Sequence, residues 1–221
     1  RDGVVVVLHD ATVDRTTDGT GRIEDLTYRE LSELDAGYHF KAPRGQASFR
    51  GKGVRVPRFE EVLEALPGVR LNVETKDDRS APGLVETILR HGAEDRVLVA
   101  AEVERHREPV LGYPGPWGAS RRDLFRFFLT VHTPFMRAST PPCDALQIPE
   151  RYYGIRVLTG KFLRAAHARN LPLHVWTVNE PSDMRRLLDL GVDGIQTDRP
   201  DLLAPILSER MGRPLPPVLR N

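Results

Sequence analysis

Residues 69–100, VRLNVETKDDRSAPGLVETILRHGAEDRVLVA, decide the fold. The run Val69-Arg70-Leu71-Asn72-Val73-Glu74 reads as a strand, 82–91 as a helix and 96–100 (RVLVA) as a second strand. Short β-branched and aliphatic runs separated by helical spacing are the mark of a parallel sheet with helices outside.

The same rhythm extends in both directions. Upstream, PRFEEVLEAL at 57–66 predicts a helix, with Pro57 near its first position and Phe59, Val62, Leu63 and Leu66 on one face. The apolar run VVVVL at 4–8 suits a strand covered on both faces. Downstream, helices are expected at 102–111, 120–130, 160–169 and 181–190, and strands at 116–119, 144–148, 173–178 and 194–197. Leu124, Phe127 and Phe128 mark the second of these helices, and the PLPPVLRN tail beyond Pro205 is expected to be loosely docked. Six or more such units favour a closed (β/α)8 TIM-type barrel over an open sheet, and no glycine-rich dinucleotide fingerprint follows any strand.

A length of 221 residues fits one domain, and 40% hydrophobic with 29% charged residues is an ordinary globular composition. The net charge of +1 gives no push toward nucleic acid. No apolar run approaches the roughly 20 residues that span a bilayer. The single cysteine, Cys143, excludes an intrachain disulfide and fits a reducing, cytoplasmic setting. Residues 11–56, rich in Gly, Thr, Asp and Arg, read as a loop-rich insertion within the 1–221 domain. Asp14, Thr16, Asp18, Gly19 and Asp25 imitate a calcium loop there. Gly21 at its eighth position, Asp25 at its twelfth and the lack of a preceding helix argue against one. The chain opens on Arg1-Asp2-Gly3, a turn that feeds a strand, so an earlier strand is expected before it.

In (β/α) barrels the reactive groups stand at the C-terminal ends of strands. Those ends carry His9-Asp10, Glu74 with Lys76, Glu102, Ser120, Gln147, Trp176 with Asn179, and Thr197-Asp198. His9 is either a strand-terminal polar residue or a general acid/base, since histidines ordinarily titrate near neutrality. Alternation puts Glu74 and Lys76 on one face, as a surface ion pair or as a cation ligand beside a phosphate-binding ammonium. Trp176 either fills the core or walls a substrate's glycerol or alcohol group. The other histidines lack metal spacing.

The blocks Asp2-Gly3 through His9-Asp10, Arg15-Thr16-Thr17-Asp18-Gly19, Leu71-Asn72-Val73-Glu74-Thr75-Lys76, Val175-Trp176-Thr177-Val178-Asn179 and Gly194-Ile195-Gln196-Thr197-Asp198-Arg199-Pro200 occur in this order. Together they resemble the glycerophosphodiester phosphodiesterase family over nearly the whole chain. The resemblance implies a phospholipase-C-like (β/α) barrel lacking its first strand or strands here. It implies hydrolysis of a small glycerophosphodiester to glycerol 3-phosphate and an alcohol, with Ca²⁺ or Mg²⁺, through a cyclic phosphate. It makes His9 a catalytic histidine, Glu74 a metal carboxylate and Lys76 a phosphate contact. The family's His-Arg and Glu-x-Asp pairs would precede Asp2-Gly3, so the 221 residues alone are expected to be inactive and, with open sheet edges, aggregation-prone. Val99-Ala100-Ala101-Glu102 departs from the family's usual Ser-Phe. The rival readings are another phospholipase-C-like barrel enzyme and a non-catalytic barrel that binds phosphate esters.

Overall fold

A computed structural model describes residues 1–41, 49–132, 140–212 and 214–215. The chain falls into two compact units, Arg1–Gly115 and Pro116–Asn221.

In the first unit, β1 (Leu71–Glu74) and β2 (Val97–Ala100) pair in parallel, with Glu74 opposite Ala100. Between them α3 (Ser80–Arg90) buries Ala81, Leu84 and Ile88, the spacing that puts one helical stripe against the sheet. Ahead of β1, α2 (Phe59–Ala65) starts two residues after Pro57 and buries Phe59 and Leu63. Its C-terminal end is closed from a distance. The Arg96 guanidinium donates to the carbonyls of Leu63, Leu66 and Val69 at 2.9–3.0 Å, placing a cation where the helix dipole is negative. Within 11–56, α1 (Tyr28–Ser32) begins with a Thr27/Glu30 capping box. Asp14 and Asp18 accept backbone N–H groups of Gly21 and Asp35, so these carboxylates brace turns.

Three expectations fail in or just after this unit. Residues 4–8 do not form a strand: Val6 makes one antiparallel bridge to Arg58, and Val4 and Val7 are exposed. The run bonds sideways to the entry of α2, through Val7 N–H to Pro57 O and Phe59 N–H to Val5 O. The 102–111 segment is two 3-10 turns, Glu104–His106 and Glu108–Val110, because Pro109 cannot donate to a helical ladder. The 116–119 strand is reduced to one parallel bridge, Gly118 to Ala145, in a segment broken by Pro114 and Pro116.

The second unit is built on a three-stranded parallel sheet in the order β3 (Leu146–Pro149), β6 (Leu173–Trp176), β7 (Gly194–Ile195). Leu146, Ile148, Leu173 and Val175 project from one face into a core with Phe127 of α4 (Arg121–His132) and Phe162 of α5 (Gly160–His167). The two rings meet edge to face at 5.0 Å. Next, α6 (Pro181–Leu190) runs from a proline at its first position to Gly191 at φ 95°, the left-handed stop that glycine adopts freely. A last helix, α7 (Pro200–Met211), runs through Pro205, so the chain stays ordered well beyond the point expected to fray; residues 216–221 lie outside those described.

A two-stranded antiparallel hairpin was not anticipated. It comprises β4 (Arg151–Tyr152) and β5 (Ile155–Arg156), directly after β3. Tyr153 at φ 45° and Gly154 at φ 80° make its two-residue turn, the backbone twist that matches paired strands.

Candidate active site

Strand alternation sets which side chains β1 and β6 present. In β1, Asn72 and Glu74 are exposed while Leu71 and Val73 are half-buried. Lys76 continues the Asn72/Glu74 face, and its Nζ lies 2.6 Å from Glu74 Oε2. Their side chains are 39% and 38% exposed, so the pair is open to solvent and the ammonium is available to a second anion.

His9 is held by a different partner. Its Nδ1 lies 2.7 Å from Asp10 Oδ1, and the ring is otherwise 74% exposed. Asp10 also receives the Arg15 guanidinium, with Nε to Oδ2 at 2.5 Å and Nη2 to Oδ1 at 3.0 Å. Arg15 first, and His9 second, hold the Asp10 carboxyl far below the usual carboxylate range. An Asp10 carboxyl ionised at neutral pH fixes the orientation of the ring and leaves Nε2 as the atom that can exchange a proton with a ligand. Among the described residues no hydrogen bond or ion pair links His9 to Glu74 or Lys76.

In the second unit Trp176 ends β6 on the face opposite Leu173 and Val175, and it is 38% exposed, so it does not fill the core. Three residues on, Asn179 ties two strand ends together. Its Oδ1 accepts from Thr197 Oγ1 at 3.0 Å and from the Asp198 N–H at 2.9 Å, while Nδ2 donates to Asp198 Oδ2 at 3.0 Å. Thr197 Oγ1 in turn accepts the Arg199 N–H, and Arg199 forks onto Asp201. This lashing role of Asn179 was not anticipated. On the Trp176 face, Gln147 and His174 are cross-strand neighbours, and His174 faces Gly194. A Cβ on Gly194 would sit 2.6 Å from the His174 ring, which is why glycine is required there. Burial pushes the His174 imidazole below its ordinary value, with Asp193 partly opposing it.

Metal binding can be tested against the donors present. Among the described residues, no three His, Cys, Asp or Glu side chains gather as ligands. A hard cation takes about six to eight oxygens, and Glu74 offers one carboxylate already paired with Lys76. The described residues therefore do not fit a metal ion by themselves.

Comparison with known proteins bears on the whole chain. The model of the glycerophosphoryl diester phosphodiesterase family matches residues 1–115 and 117–202. A Mycobacterium tuberculosis protein named "Probable glycerophosphodiester phosphodiesterase 2" is 33% identical over 216 residues, covering 95% of this chain and 76% of the relative. The Bacillus subtilis glycerophosphodiester phosphodiesterase is 31% identical over 223 residues, covering 91% and 71%. Among solved structures, the glycerophosphoryl diester phosphodiesterase domain of a Mycobacterium tuberculosis protein aligns with a TM-score of 0.77 at 16% identity, over 92% of this chain and 82% of that one. An Oleispira antarctica phosphodiesterase, solved with its product sn-glycerol-3-phosphate, aligns at 0.71 and 21% identity, over 93% and 80%. These structural likenesses assign the chain to the α/β class of that (β/α)-barrel fold.

Proposed function

Because this chain belongs to the glycerophosphoryl diester phosphodiesterase family and is a phosphoric diester hydrolase of that kind, we propose that His9, Glu74 and Lys76 of the first unit take part in its chemistry and that Trp176 of the second contacts substrate. The observation that carries this reading is that the His9 ring and the Glu74–Lys76 pair are solvent-open, with Glu74 at the end of β1.

The reaction converts a glycerophosphodiester to glycerol 3-phosphate and an alcohol. Lys76 binds a phosphate oxygen and offsets charge that builds there. The glycerol 2-hydroxyl attacks phosphorus as its proton passes to a base, and the bond from phosphorus to the alcohol oxygen breaks. His9 Nε2 gives its proton to that departing oxygen, and Asp10 steadies the imidazolium beforehand. Water then attacks the cyclic phosphate and gives a proton to His9, while the bond from phosphorus to the glycerol 2-oxygen breaks and that oxygen takes back the proton held by the base. Trp176 provides an apolar wall for the glycerol or alcohol carbon atoms. A divalent cation, Ca²⁺ or Mg²⁺, belongs to the proposal with Glu74 as a single ligand. Since the described residues bring no further ligand beside Glu74, the steps are written for side chains alone.

One domain containing both units, with 11–56 as its inserted region, is part of the same proposal. Amide exchange in β1–β2 and in β3–β6–β7 should collapse at one denaturant concentration; two separate midpoints would make them two domains.

Product analysis tests the activity. The protein should release sn-glycerol 3-phosphate and a free alcohol from glycerophosphocholine, and EDTA should stop it. Release of phosphocholine instead would point to a different phosphodiesterase.

A further inference from the structure

The hairpin β4–β5 stands at the C-terminal end of β3, the end of the sheet at which Trp176 also lies, since Pro149 and Trp176 are register partners. Its side chains are arranged against ordinary hairpin economy. Arg151 and Arg156 face each other directly across the ladder, a like-charge pairing that weakens a hairpin unless an anion lies between. The neighbouring carboxylate does not neutralise them: Glu150 is gripped by both arms of Arg186, at 3.1 and 2.7 Å. Arg151 donates to the Gly154 carbonyl instead, and neither arginine has a carboxylate partner among the described residues.

The tip is equally unusual. Tyr153 occupies a left-handed turn position that asparagine or glycine takes at less cost, and the residue is 89% exposed. Tyr152 packs edge to face on it at 4.6 Å, and Ile155, the cross-strand partner of Tyr152, is 60% exposed. Two tyrosines and an isoleucine at a projecting tip, backed by two unneutralised guanidinium groups, form an amphipathic element. Tyrosine rings settle at the boundary between hydrocarbon and water, and arginines just behind them meet anionic headgroups.

We propose that this hairpin docks the protein on an anionic lipid surface. Charge complementarity selects that occupant: a neutral surface would satisfy the tip but leave the paired arginines repelling each other. The docking is independent of turnover, because it uses none of the residues assigned to chemistry.

Flotation of the protein with vesicles tests it. Vesicles of about seven parts phosphatidylcholine to three parts phosphatidylglycerol should bind the protein, and pure phosphatidylcholine should bind it far less. Replacing each arginine by alanine should weaken partitioning about fivefold, and both together about thirtyfold, with a matching loss on raising salt. Tyr153→Asn removes the aromatic tip while favouring the turn, so the hairpin stays folded; it should also release the protein from vesicles with an unchanged melting temperature. Equal binding to both vesicle types, no binding to either, or undiminished binding by Tyr153→Asn and by the double arginine variant would overturn the proposal.

Discussion

Replacing Asn179 should loosen the join between the two strand ends that carry Trp176 and Asp198. Asn179→Ala removes three hydrogen bonds, two accepted by Oδ1 and one donated by Nδ2. Each is worth about 0.5–1.5 kcal/mol net. Since Asp198 is exposed and its groups regain water, the lower part of that range applies, or about 2 kcal/mol in all. For a chain of this size that corresponds to a fall of about 4–8 °C in melting temperature. Asn179→Asp separates the parts of the argument. It keeps both accepted bonds but sets a second carboxylate about where Nδ2 lies, 3.0 Å from Asp198 Oδ2. Two carboxylates that close cannot both ionise cheaply, so one of them is raised in the folded state. A raised folded value adds stability below it and loses it as pH rises through it. The Asp variant should therefore be the weaker at neutral pH and approach the wild type as the pH drops toward 5. Thermal melts followed by circular dichroism at several pH values measure this. A shift below 1 °C for Asn179→Ala, or a pH-independent deficit for Asn179→Asp, would refute the reasoning.

Other outcomes follow from the same geometry. Carbon-detected NMR should find the Asp10 carboxyl still ionised well below the ordinary value of 3.8, and Arg15→Ala should move its titration upward, because Arg15 is the larger cause of the depression. Lys76→Met should weaken binding of glycerol 3-phosphate tenfold or more in calorimetry, as a charge-assisted hydrogen bond is lost. Phe162→Ala, at a site with no solvent exposure and against Phe127, should cost about 3–5 kcal/mol in urea unfolding.

The sequence was most readable where local signals agree. Pro181 and Gly191 bracket α6, and its expected limits coincide with the observed ones. The Glu74–Lys76 pair follows from alternation alone, although alternation could not tell a solvated ion pair from a ligand set. Residues 4–8 misled because an apolar run announces hydrophobicity but not a neighbour to pair with. For α7 the start and stop residues, Pro200 and Gly212, were visible, but Pro205 inside the helix masked them. The hairpin escaped because Tyr153-Gly154 is not a favoured turn dipeptide and two opposed arginines do not suggest a ladder. Asn179 was noticed only as a strand-end polar group; its bonds reach 18 and 19 residues along the chain, where no periodic pattern records them.

The role of His9 as proton donor to the leaving alcohol is tested most directly by comparing two leaving groups. An alkyl alcohol such as choline needs a proton to depart; a nitrophenol does not. His9→Ala should slow release from the choline diester by about 10²- to 10⁴-fold and leave release from the nitrophenyl diester close to wild type. Equal losses on both substrates, or no loss on the choline diester, would contradict the account.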